Sequence, residues 1–319
     1  MFDESMFGGH PKITGWKTRE KIREIEKTGR VTKGEALKLA KEKVKEITNA
    51  DYVVLTSSGT IACLASVKAW TVMFKRKPVV NIPSFTYHSV PRTIEEILGL
   101  RVVFSDIDGE TWHSLLEKVG DLYIPMDTFG SLAPEPHHYD KPEENVIYDA
   151  CHSFGTRHEV RGIAEFGSFS GGKVVTAGEG GYIATNSRKF FAMAENYADM
   201  LGRIPELSAS LLLDYIDVLD PILEKRRENK KIYTGRLSDL LIFQKIPFAT
   251  NNYIIAGTYR TVESKRLFEE LMATTPIFRK YYRGIRGNEE SIRVANNHVC
   301  LPNGFYVDPE KVCDYILTY

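Results

Sequence analysis

One lysine stands out by its surroundings. In "EFGSFSGGKVVTAGEGGYIATN" Lys173 lies between Gly171, Gly172 and a β-branched pair, with Ser168 and Ser170 a few residues before it. Glycines allow positive backbone angles and let a main chain approach a ligand closely, so the loop reads either as a tight turn or as a ligand cradle. A turn has no need of a long cation. A lysine amine, in contrast, is a standard nucleophile toward carbonyl groups. A second stretch, "TSSGT", follows one apolar run and opens another, where its hydroxyls and backbone N–H groups either cap a helix or hold a phosphate at its N-terminus. A carboxylate, Asp149, ends the apolar run "NVIY", where burial without a partner is costly. An amine, a phosphate cradle and a carboxylate able to pair with a ring N–H are the three requirements of pyridoxal phosphate. For Asp149 a helix-capping role remains the competing reading.

The elements that must position these residues follow a rhythm. "GEALKLAKEKVKEIT" sets Leu37, Ala40, Val44 and Ile47 at helical spacing. "DYVVLTSSGTIACLASVKAW" reads as strand, turn and helix, and "KPVVNIPSFTYHSVPRTIEEILG" repeats the unit. Further short apolar strands follow in "LRVVFSDID", "DLYIPMDTFG" and "NVIYDACHS". The pattern predicts an α/β fold with a mainly parallel sheet, whose ligands gather at the carboxyl ends of the strands. The polar loops at 57–60, 84–87, 149–152 and 168–173 thus become candidates for one pocket. Beyond about residue 207 the pattern turns helical, with a break expected at Pro221. The cluster "EKRRENKK" reads as the solvated face of that long helix. The expected division is an arm at 1–30, a large cofactor-binding domain at 31–212 and a small α+β domain at 213–319.

Composition narrows the partners. Lysine plus arginine and aspartate plus glutamate both number 42 in 319 residues, so no overall field favours nucleic acid or an anionic membrane. No window approaches the roughly 18 apolar residues of a spanning helix, and the start of the chain lacks a basic-then-apolar leader. The four cysteines are scattered, which suits a reducing compartment. A cytoplasmic protein acting on small molecules, with no metal, is the expectation.

The ordered segments "SSGTIACLASVKAW", "PSFTYHSVPRTI", "VVFSDIDGETW", "DACHSFGT" and "SFSGGKVVTAGEGGYIATN" resemble the DegT/DnrJ/EryC1/StrS sugar aminotransferases. The resemblance implies the fold-type-I architecture, with a three-layer large domain and a smaller C-terminal α+β domain. It implies that Lys173 bonds covalently to pyridoxal 5'-phosphate and later moves a proton, while Asp149 pairs with the pyridine nitrogen. Ser58, Gly59, Thr60 and Ser168 would hold the phosphate, Tyr87 would stack on the ring, and His152 would sit beside the ring's phenolic oxygen. The implied reaction carries an amino group from an amino acid donor, glutamate being the expected one, to a keto sugar acceptor linked to a nucleotide. A homodimer with shared active sites is implied as well. The alternatives are a different carbonyl substrate, or a relative of the fold without turnover. The family's dehydratase branch has histidine in place of the lysine, and Lys173 argues against it.

The chain departs from the family in three places. Leu201, in "LGRI", replaces an asparagine whose amide reaches the partner subunit's phosphate, with Arg203 or the N–H of Gly202 as possible substitutes. Asp127 stands where a histidine is common. The segment "TPIFRKYYRGI" is read as a cut-back sugar-binding loop. Borohydride reduction of the cofactor-loaded protein followed by peptide mapping is expected to place the mass tag on Lys173, and a tag on any other lysine overturns the assignment.

Overall fold

The computed structural model describes residues 13, 15–29, 31–275, 278–280 and 288–319. Residues 1–12 of the expected arm, and most of "TPIFRKYYRGI", lie outside the described residues. Helices α1 (Trp16–Thr28) and α2 (Glu35–Thr48) lead into strand β1 (Tyr52–Thr56) and helix α3 (Gly59–Met73). Strand β2 (Val79–Pro83), the short helix α4 (Ser89–Arg92) and strands β3 (Arg101–Ser105) and β4 (Leu122–Tyr123) follow. Then come β5 (Ile147–Asp149), β6 (Ala164–Ser168), β7 (Gly181–Thr185) and helix α5 (Arg188–Leu201).

Strands β1, β7, β6 and β5 pair in that order, and β3, β2 and β4 form a second run. Bridges from Tyr123 to Val146 and from Met126 to Asp149 join the two runs into one sheet. Only β7 is antiparallel to its neighbours, so the carboxyl ends of β1, β2, β5 and β6 share one edge. Side chains alternate across the sheet with period two, which sorts them between two cores. Val54 and Ile183 face α3 and α5, including Ala62, Trp70 and Phe190. Val53, Leu55, Tyr182 and Ala184 face Ala40 and Val44 of α2 on the other side. The result is the mainly parallel α/β arrangement that the strand-loop-helix rhythm predicts, in the three layers that the resemblance implies.

Past α5 lie helices α6 (Glu206–Ile216) and α7 (Leu219–Arg236), then strands β8 (Leu241–Phe243) and β9 (Ile255–Tyr259). Helices α8 (Val262–Thr274) and α9 (Glu289–Asn297), strand β10 (His298–Leu301) and helix α10 (Pro309–Thr318) complete the chain. Strands β10, β9 and β8 form an antiparallel sheet with its own core of Tyr233, Phe268, Val299 and Val312. The helix break falls at 217–218, not at Pro221, because proline is tolerated in a first helical turn, where no N–H is missed. The "EKRRENKK" face is also only partly solvated: Arg226 and Asn229 are buried. All four cysteines are free, with Cys63, Cys300 and Cys313 buried. Among the described residues no helix is long and apolar enough to cross a membrane.

Helices α1 and α2 both start on glycines, Gly15 and Gly34, which offer no capping side chain. Helix α6 supplies both caps from outside. Asp214 accepts from the N–H groups of Lys17 and Thr18 at 3.1 and 3.0 Å. Glu206 accepts from those of Gly34, Ala36 and Leu37 at 2.6, 3.1 and 3.2 Å, and lies 3.2 Å from the Lys21 ammonium. A Cβ at position 34 would come within 2.8 Å of the Glu206 carboxylate, so the glycine opens the space for its own cap. Glu206→Ala removes the α2 cap and the buried partner of Lys21 together. Urea unfolding should show a loss of about 2 to 5 kcal/mol, and an unchanged midpoint would show that Glu206 does not hold the arm helix.

Candidate active site

A cavity of about 500 Å³ opens at the shared edge of β1, β2, β5 and β6. The turn after β1 brings Ser58, Gly59 and Thr60 to it, and the loop after β2 brings Tyr87. The end of β5 contributes Asp149 and His152, and the end of β6 contributes Ser168, with Lys173 beyond it. Ser58, Gly59, Thr60, Tyr87, Asp149, His152, Ser168 and Lys173 thus line the same cavity, whereas Asp127, Leu201, Gly202 and Arg203 lie outside its lining.

At one end Ser58 caps α3, its Oγ accepting from the Ile61 N–H at 3.2 Å. The N–H groups of Gly59 and Thr60 fall in the first turn of α3, where no intrahelical acceptor exists. A Cβ on Gly59 would approach the Ser168 Cβ to 2.7 Å, so this glycine lets the end of β6 press against the helix N-terminus. The Ser168 side chain therefore sits beside N–H groups that no backbone carbonyl of the helix accepts, at the positive end of a helix dipole, where the electrostatics favour negative charge.

Deeper in, Asp149 is 2% exposed. Its Oδ1 accepts from the Cys151 N–H at 3.0 Å, a local turn contact, and no helix follows for it to cap. Burial pushes the Asp149 carboxyl above its usual range, against the lowering effect of the Cys151 hydrogen bonds and the Lys173 charge. His152 is buried and pushed well below its ordinary value, first by burial and then by Lys173, so it is neutral. Its Nδ1 accepts from the Phe129 N–H at 3.3 Å. Burial favours the neutral amine of Lys173, yet Tyr253, Cys151, Asp149 and Tyr87 outweigh it and hold the ammonium above its ordinary range. Tyr87 is 44% exposed at the mouth and packs on His88 with ring centroids 4.3 Å apart.

Sequence reasoning missed several residues here. Tyr253 packs on His152 with ring centroids 4.7 Å apart, and the Lys173 Nζ lies 5.2 Å from the Tyr253 ring centre. Glu179, Arg279 and Lys280 also line the cavity, beside Cys151 and Ser170 of the loops expected there. Tyr253 comes from a segment legible only as a strand, some eighty positions from the lysine loop. No local spacing could have flagged it.

The departures have structural answers. Asp127 is fully buried and meets the Arg161 guanidinium with both oxygens, at 2.9 and 2.7 Å. Arg161 also reaches Glu165 at 2.7 Å, and His158 meets Glu165 at 2.9 Å. The Arg161 and His158 charges hold the Glu165 carboxyl down at about 2, against its burial. Neither proposed substitute for the missing amide is spare: Gly202 donates its N–H to the Ala198 carbonyl at 2.9 Å, and Arg203 pairs with Asp199 at 2.8 Å. Leu201 itself is exposed at the end of α5.

Residues 13–286 match the sequence profile of the DegT/DnrJ/EryC1/StrS aminotransferase family. A GDP-perosamine synthase of Escherichia coli O157:H7 is 23% identical over 309 residues, covering 84% of this chain and 83% of that protein. A dTDP-4-amino-4,6-dideoxy-D-glucose transaminase of Shigella dysenteriae is 26% identical over 230 residues, covering 62% of this chain and 60% of that one. Among solved structures, DesI in the presence of its TDP-sugar product superposes with a TM-score of 0.82 at 18% identity, over 97% of this chain and 90% of that one. A GDP-4-keto-6-deoxy-D-mannose-3-dehydratase from E. coli with bound hydrated PLP gives 0.79 at 17% identity, over 94% and 95%. These likenesses agree with the fold-type-I architecture expected from the sequence.

The strain at Asp149 makes a stability test possible without any ligand. Its folded pKa lies above the unfolded one, so the folded state binds more protons, and its ionisation destabilises the fold as pH rises past the ordinary carboxylate range. Asp149→Asn keeps an acceptor for the Cys151 N–H and removes that charge. The ligand-free variant is expected to match or exceed the ligand-free wild type in melting temperature at pH 7 and to lose the advantage near pH 4. A clear loss of stability at pH 7 would show that the protein itself compensates the charge.

Proposed function

Because this chain belongs to the DegT/DnrJ/EryC1/StrS aminotransferase family, we propose that it is a pyridoxal-phosphate-dependent transaminase carrying an amino group from an amino acid, glutamate in the first instance, to a keto sugar linked to a nucleotide. The observation that carries the reading is the exception among the five buried carboxylate residues of the described part of the chain. Asp127 and Glu165 meet Arg161, Glu206 meets Lys21, and Asp214 caps a helix. Asp149 alone among them has one local N–H and a neighbouring thiol, and it faces the cavity that also holds Lys173 and the α3 N-terminus. A protonated pyridine nitrogen is the partner such a carboxylate lacks, and a phosphate is the partner such a helix end lacks.

When bound, pyridoxal phosphate supplies an aldehyde that captures amines and a ring that takes up the electron pair of a broken carbon–hydrogen bond. The chain's own residues do the rest. Asp149 would hold the proton of the ring nitrogen. The N–H groups of Gly59 and Thr60 and the Ser168 hydroxyl would hold the phosphate, with Ser58 fixing the helix start that presents them. Lys173 would be the covalent anchor and, through its Nζ, the group that takes up and returns a substrate proton. His152, kept neutral by burial, would border the cofactor without competing for that proton. Tyr87 would cover it from the mouth of the cavity. Lys173 favours amine transfer over the 3-dehydratase chemistry named for one structural neighbour.

The nucleotide-linked acceptor is supported by the names of the relatives, which carry GDP and dTDP sugars. The reading extends to a cytoplasmic homodimer with the sites at the subunit interface. The test is a two-stage assay. Glutamate should convert the yellow loaded protein to its amine form with release of 2-oxoglutarate, and a 4-keto-6-deoxy sugar linked to GDP or dTDP should restore it. Asp149→Asn should lose at least about tenfold in turnover, since a charged hydrogen bond is worth roughly 1.5 to 3 kcal/mol. Restoration by free keto sugars alone would move the acceptor class, and no reaction with any amino donor would overturn the transaminase reading.

A further inference from the structure

Arg226 is a buried cation that the chemistry above does not use. It is 4% exposed on α7, makes no ion pair among the described residues, and burial pushes it down to about 10. Its Nε has no protein hydrogen-bond partner among them. A guanidinium kept out of water without a carboxylate is expensive, so what it does contact is informative. Its Nη1 donates to the Tyr253 carbonyl at 2.6 Å, and its guanidinium lies 5.8 Å from the Tyr253 ring centre. Both contacts are with one residue.

That residue is the ring beside the lysine. Tyr253 is held along its backbone as well: its N–H donates to the Asn251 Oδ1 at 2.9 Å, and the Asn251 amide donates to the carbonyls of His152 and Phe154 at 2.8 and 2.9 Å. The preceding Asn252, at a positive φ of 53°, gives its carbonyl to the Asn303 amide at 2.5 Å. The ring therefore cannot drift with its loop. Its free freedom is rotation and tilt, and on that coordinate it meets Lys173, His152 and Arg226.

We propose that Tyr253, held from behind by Arg226, is the wall that positions the Lys173 amine, and that Arg226 is a positioning residue acting through it. The inference rests on Lys173 being the reactive lysine of the proposed function, but its geometry belongs to the ligand-free chain and is tested there. A lysine arm has four rotatable bonds, and its use as both anchor and proton carrier needs one of its rotamers favoured. Cation–π attraction to Tyr253 supplies that preference at short range, without a hydrogen bond that would have to break when the amine reacts.

The test uses ligand-free protein and trace reductive methylation with formaldehyde and borohydride, with the extent at Lys173 read by peptide mass spectrometry against surface lysines. Arg226→Leu and Tyr253→Ala should each change the Lys173 rate at least about threefold, and the double variant should change it no further than Tyr253→Ala alone. Tyr253→Phe, which keeps the ring, should leave the rate within twofold of wild type. Multiplying effects in the double variant, or an unchanged rate in Tyr253→Ala, overturns the proposal. If Arg226→Leu does not fold, Arg226→Met, which keeps the length of the side chain and removes its donors, takes its place with the same criteria. A failure of sugar amination with this coupling intact refutes the functional reading only; intact amination without the coupling refutes the positioning role only.

Discussion

A carboxylate taken out of water at the end of β5, and left there without a cation in contact with it among the described residues, is the constraint around which this molecule is arranged. Burial of an ionised acid is tolerated where a partner is supplied, and the chain shows how readily it supplies one. Arg161 answers two acids at once, and Lys21 reaches across from α1 to answer a third. Asp149 receives hydrogen bonds only from its neighbour Cys151, and the Lys173 charge acts on it without an ion-pair contact. The fold could have relieved it with one more arginine and has not. The cost falls on the ligand-free state, so that a ligand bringing a positive ring nitrogen binds the strained form best and stabilises it by linkage.

The sheet makes that strain usable. With β7 the single reversed strand, the carboxyl ends of β1, β2, β5 and β6 lie side by side, and four loops separated widely in sequence reach one volume. The buried Arg161 network ties the loop after β4 to the end of β5: Asp127, whose N–H also donates to the Asp149 carbonyl at 3.0 Å, is locked by Arg161 and by the Ser153 hydroxyl. Asp127 therefore holds the strand that presents Asp149. Its departure from the family's histidine is matched by a charged partner across the loop.

Much of this was legible in the chain because it is local. Strand, polar turn and helix recur in order, the glycine loop isolates one lysine, and capping chemistry marks Ser58; each signal lies within a dozen residues. What escaped is what long-range packing decides. The caps of α1 and α2 come from Asp214 and Glu206, 196 and 172 positions away, so nothing near Gly15 or Gly34 in the sequence shows what satisfies the helix starts. Arg226 sits in a run of charges that looks solvated, and only the approach of Tyr253 from a distant loop explains its burial. Pro221 misplaced a helix break because proline forbids a helix interior but fits a first turn, and sequence alone does not say which turn it occupies.

The replacement of an amide by Leu201 takes its meaning from the residue after it. The Gly202 carbonyl accepts from the Ser57 N–H at 2.9 Å, and any side chain at position 202 would strike the Ser57 hydroxyl. The end of α5 is thus pressed, backbone against backbone, on the turn that precedes Ser58 and Gly59. The helix start that presents Ser58 and Gly59 is thus braced by the end of α5. A rigid N-terminus presents its N–H groups to an anion without ordering cost, and that preorganisation can offset one missing hydrogen bond of about 1 kcal/mol. Leu201, exposed beside Met200 at the end of the same helix, offers apolar surface to the solvent side of that brace.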